Sequence, residues 1–245
     1  PRSTPKPSSA ASDVYKRQVH ALGDIAYYGS PSKLPPNPSQ VEVKISWSEG
    51  LAKGTPATDG TFDVEVSARS SVGLDHYWCH VEDVLFHIDR LDGSYVAQVI
   101  ADRIIVDTMY CSEADCRTSI SQTVTVYAKL LYEYDGEPVA TGTVEIEGVR
   151  AITQGGGLWS IGTQRTSVQQ VIFDEVTVAN DKYGITTVNQ NSQQVTVIWD
   201  EIVVLGYGVR DDRVNVGDTV NVNLTLVYAF DNSSVTDGSV TVHTS

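Results

Sequence analysis

The chain has 245 residues, of which 41% are hydrophobic, enough for one large domain or two to three small ones. Its 31 acidic and 17 basic residues give a net charge of −14. This balance argues against nucleic acid or an anionic membrane as a partner, because phosphate groups are bound by basic stripes. No apolar run approaches the roughly 18 residues of a membrane span, so we expect no membrane insertion within this sequence.

The N-terminal residues differ from the rest of the chain. Residues 1–18, PRSTPKPSSAASDVYKRQ, show no hydrophobic periodicity. Their second half resembles translated adapter sequence of the kind found in gene models from shotgun and metagenomic assemblies. We therefore interpret residues 1–18 as non-native sequence. Residues 19–40 include the Pro/Ser-rich stretch YYGSPSKLPPNPSQ and are expected to form an extended linker.

An internal repeat dominates the remaining sequence. Residues 115–146 align with residues 211–242 without a gap, at an offset of 96. Upstream, VIADRIIV at 99–106 aligns with VIWDEIVV at 197–204, at an offset of 98. The two-residue difference falls in CSEADC at 111–116, where the earlier copy is longer. Self-similarity at a period of about 100 residues indicates tandem modules.

The repeat predicts three modules. A fainter copy of the strand–turn–strand unit begins at residue 41, so residues 41–101 are expected to form a short, divergent module. Residues 102–199 are expected to form a complete module, and residues 200–245 the opening strands of a third, truncated one. A third module without its second sheet would leave the apolar faces of its strands uncovered.

Short strands are predicted throughout the repeat. TVTVYAKLLYEY (123–134) and QQVTVIWDEIVVL (193–205) alternate apolar and polar residues, which is typical of strands with one buried face. No stretch shows helical periodicity with caps. The predicted fold is all-β, a series of immunoglobulin-like β-sandwiches. Its expected core includes Val124, Val126, Ile172 and Val197.

Residues 214–242, VNVGDTVNVNLTLVYAFDNSSVTDGSVTV, resemble the first half of the bacterial and archaeal Ig-like repeats found in invasin-like adhesins and archaeal surface proteins. In those repeats an apolar residue and Gly-Asp precede a long strand, followed by a YDG-P turn. Residues 117–146 keep that turn as YDGEPVATGTV but have Ser121-Gln122 in place of Gly-Asp. The resemblance covers most of residues 41–245. It implies an extracellular or cell-surface region with a structural or adhesive role and without an active site.

Two functions from different classes follow. The first is a non-catalytic spacer or adhesive region that contacts a protein or glycan ligand and neighbouring repeats of its own chain. The alternative is a carbohydrate-binding β-sandwich attached to a secreted enzyme, with Trp47, Trp78, Trp159 and Trp199 as candidate sugar platforms. Trp199 is expected to be partly exposed on its strand. Because no histidine lies in a nucleophile or metalloprotease motif, we expect no catalytic residue and no cofactor.

The three cysteines suggest one cross-link. Cys111 and Cys116 bracket the two-residue insertion, and the four residues between them can close a tight loop. A disulfide is therefore a candidate in an oxidising compartment, and two free thiols are the alternative in a reducing one. Cys79 is expected to be a buried small hydrophobe.

Metal-binding residue types concentrate in one stretch, DHYWCHVEDVLFH at 75–87. Strand alternation places His76 and His80 on one side and Cys79 on the other, short of the three or four convergent ligands that zinc requires. Asp211, Asp212 and Asp231 are candidate oxygen ligands for Ca²⁺, although no spaced Asp/Asn loop is present.

Two N-glycosylation sequons, Asn223-Leu-Thr and Asn232-Ser-Ser, lie in the last repeat. Asn223 is expected on the outward face of its strand, and Asn232 in a turn. Both positions would be accessible to solvent, which agrees with display outside the cell.

Overall fold

The structure is a computed structural model, and it describes residues 18–24, 38–83, 96–113 and 115–242. These residues form nineteen β-strands, one short 3₁₀ helix at Pro38–Gln40 and no α-helix, so the predicted all-β fold is confirmed. Across the same described ranges, no helix has the length and apolar content needed to cross a membrane.

The first strands in chain order are β1 (Gln18–Asp24), β2 (Val41–Trp47), β3 (Gly50–Gly54), β4 (Thr61–Ser67), β5 (Gly73–Asp83) and β6 (Val96–Ala101). The next are β7 (Ile104–Cys111), β8 (Arg117–Ser119), β9 (Thr123–Tyr132), β10 (Thr143–Ile146), β11 (Val149–Arg150), β12 (Ile152–Gly155) and β13 (Leu158–Gln164). The last are β14 (Gln169–Phe173), β15 (Val176–Ala179), β16 (Val188–Asn189), β17 (Val195–Asp200), β18 (Ile202–Val209) and β19 (Val222–Tyr228).

The packing of the chain divides it into two compact units. One comprises Pro1–Ile105, Leu131–Thr143 and Val178–Asn189, and the other comprises Val106–Leu130, Val144–Thr177 and Gln190–Ser245. Strands β7, β9, β10 and β15 contribute residues to both units. The module boundaries derived from the sequence repeat stay a prediction.

In the first unit, two sheets share one core. Strand β1 pairs with β4, and the second sheet has the order β3-β2-β5-β6, with antiparallel pairs throughout. The buried cluster between them consists of Val43 and Ile45 from β2, Val64 and Val66 from β4, and Tyr77 from β5. Because side chains alternate along a strand, the opposite faces of β2 and β5 are left to solvent.

Strand β1 departs from the sequence prediction. Gln18–Asp24 was expected to belong to non-native sequence and linker, yet it pairs with Thr61–Ser67 over its whole length. Ala21 packs against the buried cluster of the first unit. The pairing partner lies about forty residues away in the sequence, so local periodicity carries no signal for it. Residues 1–17 of the expected non-native segment lie outside the described residues.

Three further sheets run through the middle of the chain. One has five strands in the order β12-β13-β9-β7-β16, and two have three strands in the orders β11-β10-β15 and β14-β17-β8. Strand β16 pairs with β7 in parallel, and β17 pairs with β8 in parallel. Buried positions alternate strictly along β9, with Val124, Val126, Ala128 and Leu130 turned inward.

The expected core residues are buried with one exception. Val124, Val126 and Val197 are fully buried, whereas Ile172 is 45% exposed. In β14 the inward position at the end of the strand belongs to Phe173, so alternation turns Ile172 outward. The apolar run Val171-Ile172-Phe173 does not reveal which of its residues faces the core.

Trp199 is also placed differently from the prediction. It was expected to be partly exposed, and it is 0% exposed. Val195, Val197 and Trp199 alternate along β17 and share its buried face. The indole Nε1 donates a hydrogen bond to the backbone oxygen of Gln122 at 3.0 Å, which satisfies the polar atom of a buried tryptophan.

Strands β18 and β19 form a two-stranded antiparallel sheet with little cover. Tyr207 is 86% exposed, and Val227 is the one side chain of these two strands that is fully buried. Apolar side chains are exposed on both strands: Ile202, Val204, Leu205, Tyr207, Val209, Val222 and Leu224. An isolated two-stranded sheet is marginally stable in water, because it buries too little apolar surface to offset its ordering entropy.

We therefore expect backbone amides of β19 to exchange with solvent deuterium faster than those of β9. Both strands are hydrogen-bonded, but the alternate side chains of β9 lie in a core and those of β19 largely do not. Hydrogen exchange followed by mass spectrometry on the full chain would measure the difference. Equal protection of β9 and β19 in a monomer would contradict this expectation.

Candidate functional site

At two places in the chain an aspartate joins a strand to a distant turn. Asp200 is buried, and Asp102 is partly buried. At the first, Oδ1 of Asp102 accepts hydrogen bonds from the backbone N–H of Arg103 at 2.8 Å and of Tyr134 at 3.0 Å. The backbone N–H of Glu133 donates to the backbone oxygen of Arg103 at 2.9 Å. The start of β7 is thereby tied to the turn after β9. We call this network the first aspartate joint.

The second aspartate joint repeats the first. Oδ1 of Asp200 accepts from the backbone N–H of Glu201 at 2.8 Å and of Phe230 at 3.0 Å. The backbone N–H of Ala229 donates to the backbone oxygen of Glu201 at 2.9 Å. The start of β18 is thereby tied to the turn after β19. The aspartates lie 98 residues apart and the turns 96 residues apart, as in the sequence repeat.

The turns that complete the two joints also match. In the first, the N–H of Tyr132 donates to the oxygen of Glu137, and Leu131 bridges to Pro138. In the second, the corresponding pairs are Tyr228 with Ser233 and Val227 with Ser234. Left-handed backbone is required at the same position of both turns, where Gly136 has φ 71° and Asn232 has φ 57°. Glycine and asparagine are the residues that tolerate this conformation best.

The two joints differ in their charge partners. Oδ2 of Asp200, which is 3% exposed, accepts no hydrogen bond from the described residues and lies 3.6 Å from Nε of Arg117. Nη2 of Arg117 also donates to Oδ2 of Asp231 at 2.5 Å, and its guanidinium lies 4.8 Å from the ring centroid of Tyr228. At the first joint Arg103 forms its ion pair with Glu133 instead.

The pKa values of two carboxyl groups, Asp102 in the first joint and Asp231 beside the second, are shifted in opposite directions. Burial raises the pKa of Asp102 above its usual value, although three backbone N–H groups oppose the shift. Hydrogen bonds from Ser233 and from the Arg117 guanidinium hold the pKa of Asp231 well below its usual range. A single arginine, Arg117, thus lies between the carboxylates of Asp200 and Asp231 at the second joint.

The calcium candidates are not brought together as ligands. Asp231 forms an ion pair with Arg117, and its Oδ1 accepts from the backbone and hydroxyl of Ser233. Asp211 and Asp212 are exposed residues that follow β18. Within the described ranges, no group of three or more His, Cys, Asp or Glu side chains has the geometry to hold a metal ion.

The histidine-rich stretch separates onto the two faces of β5. His76, His80 and Glu82 lie on the outer face, while Asp75 and Cys79 lie on the inner face. Asp75 is buried and accepts hydrogen bonds from the backbone and hydroxyl of Ser48, an intramolecular role that sequence reasoning missed. Burial raises the pKa of the Cys79 thiol. His87 lies outside the described residues, as does the side chain of Asp83.

The four tryptophans have different environments. Trp159 and Trp199 are buried, and Trp47 is partly buried and stacks on Tyr77 with ring centroids 5.8 Å apart. Trp78 alone among the four is largely in solvent, at 48% exposure, on the outer face of β5. Its indole stacks with the imidazole of His76, with centroids 5.9 Å apart and planes 25° apart.

Cys111 and Cys116 are joined in a disulfide, with their Cα atoms 5.8 Å apart. The bond closes the link between β7 and β8, where the earlier copy of the repeat has its two extra residues. Cys79 is a free cysteine. Both sequon asparagines are exposed, Asn223 within β19 and Asn232 in the turn after it.

Comparisons with known proteins give a limited result. No family model matches the chain, and no curated protein matches it. Among solved structures, invasin, a bacterial integrin-binding protein, matches with 16% sequence identity and a TM-score of 0.32. The match covers 88% of this chain and 46% of the invasin chain, so the chain spans less than half of invasin's length. At this similarity, the match carries no argument about function.

The two joints give a matched pair of substitutions. Asn can still accept both backbone hydrogen bonds, so Asp200→Asn mainly replaces the carboxylate oxygen beside Arg117. We expect a loss of about 1–3 kcal/mol in the free energy of unfolding, because a buried partner of a charged group is removed.

For Asp102→Asn we expect no loss or a small gain in the free energy of unfolding at pH 7. Because the pKa of Asp102 is raised in the folded state, folding disfavours its ionised form. The contribution of Asp102 to the free energy of unfolding therefore falls as pH rises through its pKa in the unfolded chain. Thermal unfolding of both variants would measure this, and equal losses would contradict a role for Arg117.

The disulfide predicts a small response to reducing agent. Opening a loop of this length restores little chain entropy, so we expect a loss on the order of 2 kcal/mol in the free energy of unfolding. The double variant Cys111→Ser/Cys116→Ser should not respond to reductant. Alkylation of the unfolded, unreduced protein should modify Cys79 alone, and mass spectrometry that finds three modified cysteines after secretion into an oxidising medium would contradict the cross-link.

Proposed function

We propose that this chain is a non-catalytic spacer and adhesive region of an extracellular or cell-surface protein, built from tandem immunoglobulin-like β-sandwich modules. The observation that carries the proposal is the pair of aspartate joints. The same network of backbone hydrogen bonds recurs about one module length along the chain. Recurrence of this kind is typical of proteins that extend by repetition rather than by enclosing a single pocket.

Three aspartate side chains form hydrogen bonds with the backbone. Asp75, Asp102 and Asp200 each accept backbone N–H groups. The imidazole of His76 contacts the amide of Gln98 and the indole of Trp78 rather than a hydroxyl or thiol. Use of these carboxylates to accept backbone N–H groups supports a structural role, because a general acid or base needs a group that reaches a substrate.

Three features support a location outside the cell. The Cys111–Cys116 disulfide is of a kind that persists in oxidising compartments. The net charge of −14 suits a solvated outer surface. Asn223 and Asn232 are exposed in their sequons, as attachment of a glycan requires.

Adhesion is tested with the full chain coupled through a terminal tag to latex beads. Under shear flow, we expect the beads to be retained on at least one member of a panel of epithelial monolayers, matrix proteins and mucin. Retention should saturate with coating density and be inhibited by the soluble chain. Control beads carry the same chain after reduction, alkylation and heating. If native beads are retained no better than the control beads on every surface, the adhesive role is wrong.

A further inference from the structure

The outer face of the sheet β3-β2-β5-β6 carries exposed apolar groups that the core does not use. Trp78 is 48% exposed, and it lies opposite Ser46 of β2, which in turn lies opposite Leu51 of β3. Ile100 of β6 lies on the same face and is about half exposed, as is Leu51. Isolated exposed apolar residues are common on protein surfaces, but these three share one face of a single sheet.

Polar side chains lie near the indole of Trp78, and two of them contact each other. The imidazole of His76 lies nearly parallel to the Trp78 ring, and Nε2 of Gln98 lies 3.1 Å from Nε2 of His76. Gln98 is directly opposite His76 across the pair β5–β6, and Ser46 is directly opposite Trp78 across β2–β5. Amide, imidazole and hydroxyl groups therefore lie beside an open aromatic surface.

The charged residues of this face neutralise one another. Nζ of Lys44 lies 2.6 Å from Glu82, and Nζ of Lys53 lies 2.7 Å from Glu42. These four side chains sum to zero formal charge, in a protein whose net charge is −14. An anionic ligand would meet no excess of positive charge here, and a cationic ligand would meet no excess of negative charge.

We infer that the outer face around Trp78 binds a neutral oligosaccharide. A sugar ring has an apolar face of C–H groups and an edge of hydroxyls, and this face of the sheet has the complementary arrangement. The indole of Trp78 receives the C–H face of one ring, while Gln98, His76 and Ser46 exchange hydrogen bonds with its hydroxyls. Leu51, two strands away on β3, and Ile100, on β6 opposite Leu74, offer apolar contacts to neighbouring rings. A protein ligand is less well suited, because polar side chains separate the apolar groups and prevent a dry, continuous interface core.

This inference does not depend on the adhesive role, since the same surface would serve an adhesin or a module that accompanies a secreted enzyme. The test is native affinity electrophoresis of the full chain in gels containing soluble β-glucan, xylan, mannan or galactan. Polygalacturonate serves as the acidic comparison. We expect retardation by at least one neutral polysaccharide and none by polygalacturonate.

Substitutions locate the binding surface. Trp78→Ala should weaken binding of the retarding polysaccharide by roughly tenfold or more, because the stacking surface is lost. Gln98→Ala should also weaken it, and this variant leaves the indole and the core unchanged. Tyr110→Ala is the matched control, because Tyr110 is similarly exposed but lies on β7. We expect it to bind as the unsubstituted chain does.

The outcomes separate the two proposals. The inference is overturned if no neutral polysaccharide retards the chain, if Trp78→Ala and Gln98→Ala bind normally, or if Tyr110→Ala loses binding equally. Greater retardation by polygalacturonate would also overturn it. Retardation together with unretained beads would leave sugar binding supported and the adhesive role contradicted. Retained beads without retardation would support the adhesive role and contradict sugar binding.

Discussion

Acceptance of two backbone N–H groups by one carboxylate oxygen is the interaction on which the repeated architecture depends. Asp102 and Asp200 each stand just before a strand and reach the turn about thirty residues later. Without that oxygen, one N–H group at the start of the strand and one in the turn would lose their acceptor. The joint therefore holds the strand's start and the following turn together.

Because side chains alternate along a strand, the two faces of a sheet have different roles. In the first unit the inward side chains of β2 and β5 form the core, and the same strands present a neutral, partly aromatic surface outward. The four tryptophans show the consequence. Trp199 contributes its bulk to a core and gives its N–H to a backbone oxygen, whereas Trp78 contributes to no core. A residue type that stabilises the fold at one position is free to bind a ligand at another.

The accuracy of the sequence predictions follows from the range of the interactions involved. Alternation is local, so it identified Val124, Val126 and Val197 as buried. It gave the wrong face for Ile172, because three successive apolar residues in β14 fit either face. Pairing of β1 with β4 is long-range and leaves no local signal.

The aspartate joints were a different case, because a signal was present. The repeat places Asp102 over Asp200 and Tyr134 over Phe230. The alignment showed that these positions are equivalent in the two copies. It did not show that the aspartate accepts a hydrogen bond from the backbone N–H of the aromatic residue. Choosing Trp78 among four tryptophans likewise required knowing which face of each strand is covered.

The disulfide lies in the part of the repeat that the two copies do not share. The later copy passes from Val209 to Asp212 without cysteines, so its link has no covalent closure to lose. The disulfide between Cys111 and Cys116 therefore cross-links only the earlier copy of the repeat, and the later copy has no equivalent cross-link. Because glutathione keeps such short loops open in the cytosol and an oxidising compartment closes them, the state of this one link records where the chain matured.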